Sequence, residues 1–261
     1  MNLLLLLCAF TALTDAPCAR THACAHRGDQ ACAPENTLAA FRLAVEKGAP
    51  MIEFDAQATR DGHLVIMHDP QVDRTTDGTG AVSDLTFEAI RALDAGGWFR
   101  PEFKGERVPT LGETLDVIPE TILCNVHLKD SPGVAAATAQ VLLDRKRLGH
   151  CFLACTMKQA EEAHSVAPEA RICNMDRQDN NRGPYVEQTI MLKSAFIQLH
   201  KKQGLDGLKE DVARLHAGGV RVNFFGAQEE GLIRTLADAD VDYILTDDLD
   251  LCMRVLRDYP R

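Results

Sequence analysis

The sequence predicts a TIM-type (β/α)8 barrel with a small lobe inserted after the second strand. Three observations carry this expectation. After Leu111, short apolar runs alternate with stretches of helical periodicity. With two earlier runs they make eight main strands, mostly separated by helices, which is the order of a parallel barrel. His26, Glu53, Asp55, His127 and Lys129 fall at or just past predicted strand ends, where barrels of this kind gather their reactive side chains. An open doubly wound sheet is the alternative, but no glycine-rich phosphate loop follows the first strand.

The first element is a short strand over 21–25 that ends at His26. A helix follows over 37–47, because Leu38, Phe41 and Ala44 with Val45 recur at helical spacing. Asn36 or Thr37 can cap it, and Gly48 stops it. The second strand spans 51–57. Glu53 and Asp55 are two apart and face the same side, while Ile52, Phe54 and Ala56 pack outward against helices. An Asp61-Gly62 turn leads into the run 64–67 and to His68. Too few residues separate Asp55 from Leu64 for a helical crossover, so this run returns antiparallel to the second strand or leaves the main sheet. Residues 69–109 read as the inserted lobe, irregular and glycine-rich, with one weak helix near 87–93. Further strands are expected over 122–127, 150–154, 170–174, 195–199, 221–225 and 243–246. Helices are expected over 133–148, 157–166, 208–217, 229–239 and 249–257.

The whole chain sets bounds on partners. Its 261 residues, 46% hydrophobic, suffice for one barrel-sized core. A formal charge of -10 without a basic stripe argues against a nucleic-acid partner, whereas a small anionic substrate needs only one local Arg/Lys pair. The apolar run of residues 1–13 is too short to span a bilayer and suits a secretory signal, expected over 1–19 with a cut near Ala16 to Ala19. Residues 20–261 then form an exported barrel domain with no stable membrane span; without such a signal the protein would be cytoplasmic. The nine cysteines show no paired metal-ligand spacing and read as buried small hydrophobes, although export would permit a Cys24–Cys32 disulfide.

The stretch from Ala25 to Pro70 holds two histidines, an arginine and two carboxylates at alternate positions. That inventory suits cleaving a phosphate ester with a metal. An arginine fork matches phosphate oxygens, carboxylates suit a hard divalent cation, and histidines move protons near neutral pH. A lone histidine at a strand end is most often structural; His26 and His68 stand out because Arg27, Glu53 and Asp55 accompany them.

The motifs His26-Arg27-Gly28, Pro34-Glu35-Asn36-Thr37, Glu53-x-Asp55, Thr59-x-Asp61-Gly62, His68-Asp69, Asp73-Arg74-Thr75-Thr76, Pro109-Thr110-Leu111 and Asn125-Val126-His127-Leu128-Lys129 occur in this order. Together they resemble the glycerophosphodiester phosphodiesterase family over nearly the whole chain after Thr21. The stretch 241–247, ending Thr246-Asp247, looks like the family's last strand. The resemblance implies a barrel with an insert, one divalent cation at its mouth, and hydrolysis of glycerophosphodiesters to glycerol phosphate and an alcohol. Carried over by position, His26 and His68 are the catalytic acid/base pair, Glu53 and Asp55 are metal ligands, and Arg27 and Lys129 hold the phosphate. Glu35 and Asn36 keep a structural task at the start of the first helix, and Gln198, His200 and Lys201 are candidates to line the pocket.

Two departures from the family pattern matter. His127 stands at the third metal position, where the family has glutamate. Mg²⁺ or Ca²⁺ is the ion implied by resemblance, and an imidazole ligand shifts the expectation toward Mn²⁺, Co²⁺ or Zn²⁺. Asn223 stands where the family has tryptophan, so an apolar wall beside the substrate is lost or supplied by Phe224 or Phe225. Two other readings follow: a phospholipase D-like enzyme on lysophospholipids, favoured by an exposed apolar rim at Trp98, Phe99 and Phe103, and a catalytically inactive barrel that only binds phosphodiesters.

Overall fold

A computed structural model describes residues 20–259, so the expected secretory segment lies outside the described residues. The chain runs β1 (His22–Ala25), α1 (Leu38–Glu46), β2 (Met51–Ala58), β3 (Leu64–Ile66), α2 (Phe87–Arg91), α3 (Leu111–Val117), β4 (Leu123–Leu128), α4 (Val134–Asp144) and β5 (Cys151–Cys155). It continues α5 (Met157–His164), β6 (Ile172–Asn174), α6 (Arg182–Met191), β7 (Phe196–His200), α7 (Leu208–Ala217), β8 (Arg221–Phe225), α8 (Glu230–Asp238), β9 (Tyr243–Thr246) and α9 (Leu249–Arg257). The sheet order is β1-β9-β8-β7-β6-β5-β4-β2-β3, and a further β1–β2 pairing closes it on itself. Every pairing among the eight barrel strands is parallel, and β3 alone is antiparallel, on β2. The barrel expected from the sequence is therefore the fold.

The position of β3 follows from strand lengths. Ala56 pairs with Leu128 on one side and with Ile66 on the other. β3 thus occupies the edge of β2 that β1 leaves open beyond its own last partner, Ile52. Seating β3 there brings His68 to the barrel mouth without a helical crossover.

Alternation along the strands sorts the core into two bodies. Ile52, Phe54 and Ala56 join the shell between strands and helices, where Phe41 of α1 meets Phe54 edge-on at 5.7 Å between ring centres. Cys24, Met51, Leu123, Phe152, Cys173, Phe196 and Tyr243 fill the barrel interior, with Phe152 stacked on Phe196. This interior plugs the lower part of the barrel with apolar side chains and leaves polar groups for the other end. A third small cluster, including Val65, Val72, Val82, Ile90 and Val108, packs the irregular segment between β3 and α3.

Three expectations are corrected here. α3 and α6 were not read from the sequence: α6 opens Arg182-Gly183-Pro184, which looks like a break, yet proline is tolerated in a first helical turn. α3 carries a Thr110/Glu113 capping box that offsets Gly112 in its first turn. The Cys24–Cys32 disulfide is not formed; both thiols are free, Cys24 inside the barrel. Among the described residues no helix is long and apolar enough to cross a membrane.

Candidate active site

The His26 N–H still bonds Thr246 O, after which the chain leaves the barrel through two left-handed residues, Arg27 (φ 56°) and Gly28 (φ 80°). A Cβ on Gly28 would lie 2.8 Å from the main-chain carbon of Ala40. Glycine is required there for its conformation and for the close approach to α1. Gly28→Ala is expected to lose about 1–3 kcal/mol of stability through overpacking and to lower kcat by displacing Arg27; thermal melting and steady-state kinetics check both.

The turn delivers Arg27 to the carboxylates. Its backbone N–H donates to Glu53 Oε2 at 3.0 Å, NH1 donates to Glu35 Oε1 at 2.7 Å, and Nε lies 3.6 Å from Asp55 Oδ2. Asn36, also left-handed at φ 58°, donates from Nδ2 to Asp55 Oδ2 at 2.8 Å and accepts the Asp55 N–H on Oδ1 at 3.3 Å. The helix cap is Thr37 instead, whose hydroxyl accepts the Ala40 N–H. Glu35 and Asn36 thus do more than start a helix: they face the site.

Glu53, Asp55 and Gln57 are the inward polar residues of β2, all nearly fully buried. Burial, then the charge of Asp55, pushes the Glu53 carboxyl up to about 7, against the pull of His26, Lys129 and Arg27. Burial also opposes ionisation of Asp55, but its hydrogen bond with His127 and the charge of Lys129 outweigh it, and its pKa falls well below the usual carboxylate range. His127 pairs with Asp55 in the β2–β4 register. Its Nδ1 lies 3.2 Å from Asp55 Oδ1 and 3.8 Å from Glu53 Oε1, and Lys129 Nζ is 2.8 Å from Asp55 Oδ1. Ligand-type atoms of Glu53, Asp55 and His127 all lie within 4.8 Å of one another. Burial above all lowers the His127 pKa, which keeps the ring neutral, the form a metal takes as ligand. Two buried carboxylates that resist joint ionisation, beside a neutral imidazole, make a donor set that fits a divalent cation.

Gln57 clamps the turn that carries His68, donating from Nε2 to Met67 O at 2.8 Å and to Asp69 O at 2.6 Å. His68 Nδ1 meets Asp69 Oδ1 at 2.7 Å, Arg74 Nε donates to Asp69 Oδ2 at 2.6 Å, and the Arg74 fork spans both oxygens of Glu35 at 2.8 Å. Hydrogen bonds from Arg74 hold Asp69 down to about 2. A continuous polar chain thus runs Arg27–Glu35–Arg74–Asp69–His68. On the opposite side, His26 Nδ1 bonds Asp247 Oδ1 at 2.5 Å, and Gln30 and Gln228 donate to the same carboxylate. The Phe225 ring meets His26 edge-on at 5.0 Å, so Phe225 supplies an aromatic wall, while Phe224 points into the outer shell. Asn223 is buried in the interior and donates to Gln198 Oε1 at 3.4 Å.

Each histidine therefore meets a carboxylate through Nδ1. Burial lowers the His68 pKa more than Asp55 and Asp69 raise it. All seven site residues expected from the sequence meet at one end of the barrel, while Gln198 is buried against Asn223, His200 bonds Asn180 at the end of β7, and Lys201 is exposed on the turn beyond. The sequence reading assigned no role to Gln30, Gln57, Asp69, Arg74 or Asp247. Asp69 and Arg74 lay in quoted motifs, so their spacing was visible; the Asp247–His26 contact joins residues 221 apart and left no local signal.

A family model for the glycerophosphoryl diester phosphodiesterases matches residues 26–251. A glycerophosphodiester phosphodiesterase of Caldanaerobacter subterraneus subsp. tengcongensis is 50% identical over 120 residues, 44% of this chain and 49% of that protein. The chain thus spans about half the length of curated relatives matched at this identity. One from Bacillus altitudinis is 28% identical over 239 residues, 88% of this chain and 96% of that one. Among solved structures, a glycerophosphodiester phosphodiesterase of Agrobacterium tumefaciens superposes with a TM-score of 0.78 at 30% identity, covering 90% of this chain and 99% of the other. An Oleispira antarctica phosphodiesterase, solved with its product sn-glycerol-3-phosphate, gives 0.77 at 26% identity, covering 91% and 97%.

Proposed function

The chain belongs to the glycerophosphoryl diester phosphodiesterase family, and from that membership we propose that it hydrolyses glycerophosphodiesters to glycerol phosphate and an alcohol. The observation that carries this reading is the convergence of two carboxylate-backed histidines, two cationic side chains and a three-ligand cluster. Glu53, Asp55 and His127 would hold one divalent cation, which supplies charge neutralisation and Lewis acidity at the phosphate when bound. Arg27 and Lys129 bind the non-bridging oxygens, and their fixed charges oppose the negative charge that builds as phosphorus is attacked. His68, kept neutral by burial, takes the proton of the attacking hydroxyl. His26, oriented by Asp247, returns a proton to the leaving alkoxide from Nε2. Both routes, attack by water or by the substrate's own glycerol hydroxyl, use these same two proton carriers. Export, expected from residues 1–19, would place the enzyme where it scavenges phosphate and alcohols.

The test is glycerophosphocholine hydrolysis after EDTA treatment, with Mg²⁺, Ca²⁺, Mn²⁺, Co²⁺ and Zn²⁺ restored singly. Release of glycerol phosphate with any one of them supports the reading, and silence with all five overturns it for simple head groups. An imidazole ligand favours Mn²⁺, Co²⁺ or Zn²⁺ over Ca²⁺ in the native protein. His127→Glu is expected to move the best activator toward Mg²⁺ or Ca²⁺, and an unchanged metal order would remove His127 from the ligand set.

A lysophospholipid substrate is the second reading, and one observation favours it. Trp98 is 41% exposed and meets Phe99 edge-on, which in turn meets Phe103, forming an aromatic rim on the segment between β3 and α3. Comparable rates on lysophosphatidylcholine and glycerophosphocholine would mark that rim as an acyl-chain support.

A further inference from the structure

The mouth of the barrel holds a cation that the scheme above does not use. Strand β6 ends at Asn174, and the alternation that turns Cys173 inward and packs Met175 against the interior carries Arg177 to the rim. The preceding residues are pinned. Met175 N–H donates to Cys155 O at 3.0 Å, and Asp176 N–H donates to Asn174 Oδ1 at 2.9 Å. The Asp176 carboxylate is occupied by the Met157 N–H at 3.1 Å, at the start of α5. Beyond Arg177, Asn180 Oδ1 accepts from His200 Nε2 at 2.9 Å, which ties the loop to β7. Residues 175–180 line an open cavity of about 510 Å³.

Arg177 differs from several other arginines of the chain. Arg27, Arg74, Arg91, Arg145 and Arg182 each meet a carboxylate within 2.8 Å. Among the described residues, the Arg177 side chain has one hydrogen bond, from NH2 to Met175 Sδ at 4.0 Å, and its Nε is buried with no partner. Sulfur is a weak acceptor and leaves the guanidinium fork unsatisfied. In a chain with 38 acidic and 28 basic residues, an arginine at a site mouth without a carboxylate is available to a ligand. Its charge adds to burial in lowering the pKa of His200 on the neighbouring strand β7. At the level of His127 and Cys173, the inward residue of the intervening strand β5 is the small Ala154.

A phosphodiester carries one negative charge, already matched by Arg27, Lys129 and the cation cluster. A further fixed guanidinium on the far side of Lys129 has use when the substrate carries a second anion. Resting on the hydrolytic reading, we propose that Arg177 forms a subsite for an anionic group on the leaving alcohol. The preferred substrates are then glycerophosphodiesters whose alcohol bears a carboxylate or a phosphate.

Glycerophosphoserine and glycerophosphoethanolamine differ by a single carboxylate and make the test. The wild-type protein is expected to show kcat/KM roughly tenfold or more higher for the serine diester, the scale of a charge-assisted hydrogen bond. Arg177→Gln brings that ratio to about one, and Arg177→Lys, a point charge without the fork, keeps part of it. A wild-type ratio near one overturns the proposal. So does an equal loss on both diesters in Arg177→Gln, which would put the guanidinium on the scissile phosphate. Calorimetric affinities of both diesters for the otherwise intact His26→Gln protein, with and without Arg177→Gln, repeat the comparison apart from turnover. Were neither diester cleaved, the hydrolytic reading would fail, and the affinity ratio would still decide the subsite.

Discussion

His26→Ala and His68→Ala are each expected to lower kcat on glycerophosphodiesters by roughly 10²–10⁴-fold, the usual worth of one positioned proton carrier. The structure separates the two by their surroundings. His26 is almost fully buried and fixed by Asp247, whereas His68 is about a third exposed and fixed by Asp69. Asp247→Asn and Asp69→Asn leave the imidazoles in place and loosen only their orientation, so smaller losses are expected than from removing either ring. The pH profile distinguishes the two histidines. In the proposed mechanism His68 acts as base in its neutral form, and its pKa lies below the ordinary histidine value because burial disfavours the charged ring. Activity should therefore persist below that value and fall only as pH drops through the lowered pKa. Asp69 raises the His68 pKa through its hydrogen bond, so Asp69→Asn should shift the acid limb further toward low pH while reducing kcat. A shift toward high pH would assign the acid limb to another group.

The second large effect is expected at Asp55. Lys129 Nζ, His127 Nδ1 and Asn36 Nδ2 all lie within 3.2 Å of its oxygens, and Arg27 Nε is 3.6 Å away. Asp55→Asn removes the charge on which these groups converge. Breaking a buried ion pair from one side costs about 3–5 kcal/mol, because the partner charge stays behind unpaired. A clear drop in Tm should thus accompany loss of turnover beyond about 10³-fold, the scale of a lost preorganised electrostatic contact. Calorimetric titration with Mn²⁺ should show the loss of metal affinity directly. Retained Mn²⁺ binding in Asp55→Asn would mean that Asp55 serves Lys129 and Arg27 rather than a metal.

Much of this arrangement could be read before the fold was known, for reasons that differ by residue. Period-two alternation fixes which side chains of β2 share a face, so Glu53 and Asp55 were legible as a pair from spacing alone. The eight barrel strands were legible because apolar runs bounded by turn residues are strong local signals. α6 was not, because Gly183-Pro184 reads as a break unless one knows that these residues sit in a first turn. Asn36 and Thr37 were equivalent as caps on paper. Only the left-handed turn at Arg27 and Asn36, which brings Asn36 against Asp55, separates them. Glu35 was taken for a helix-start residue, since its two arginine partners lie 8 and 39 positions away. Asp247 shares that cause, since its contact with His26 joins residues 221 apart.

Barrel closure bears on when activity first arises. β1 is seated between β9 and β2, and its pairing with β2 involves two residues, Cys24 and Ala25, against four with β9. His26 begins where β1 ends, its backbone is held by Thr246, and its imidazole is held by Asp247. His26, the proposed proton donor, is therefore anchored by the first and last strands together. A nascent chain still lacking β9 carries every residue of the Glu53, Asp55 and His127 cluster but lacks the Thr246 and Asp247 contacts of His26. On the hydrolytic reading, cleavage is expected to begin only once β9 has docked beside β1.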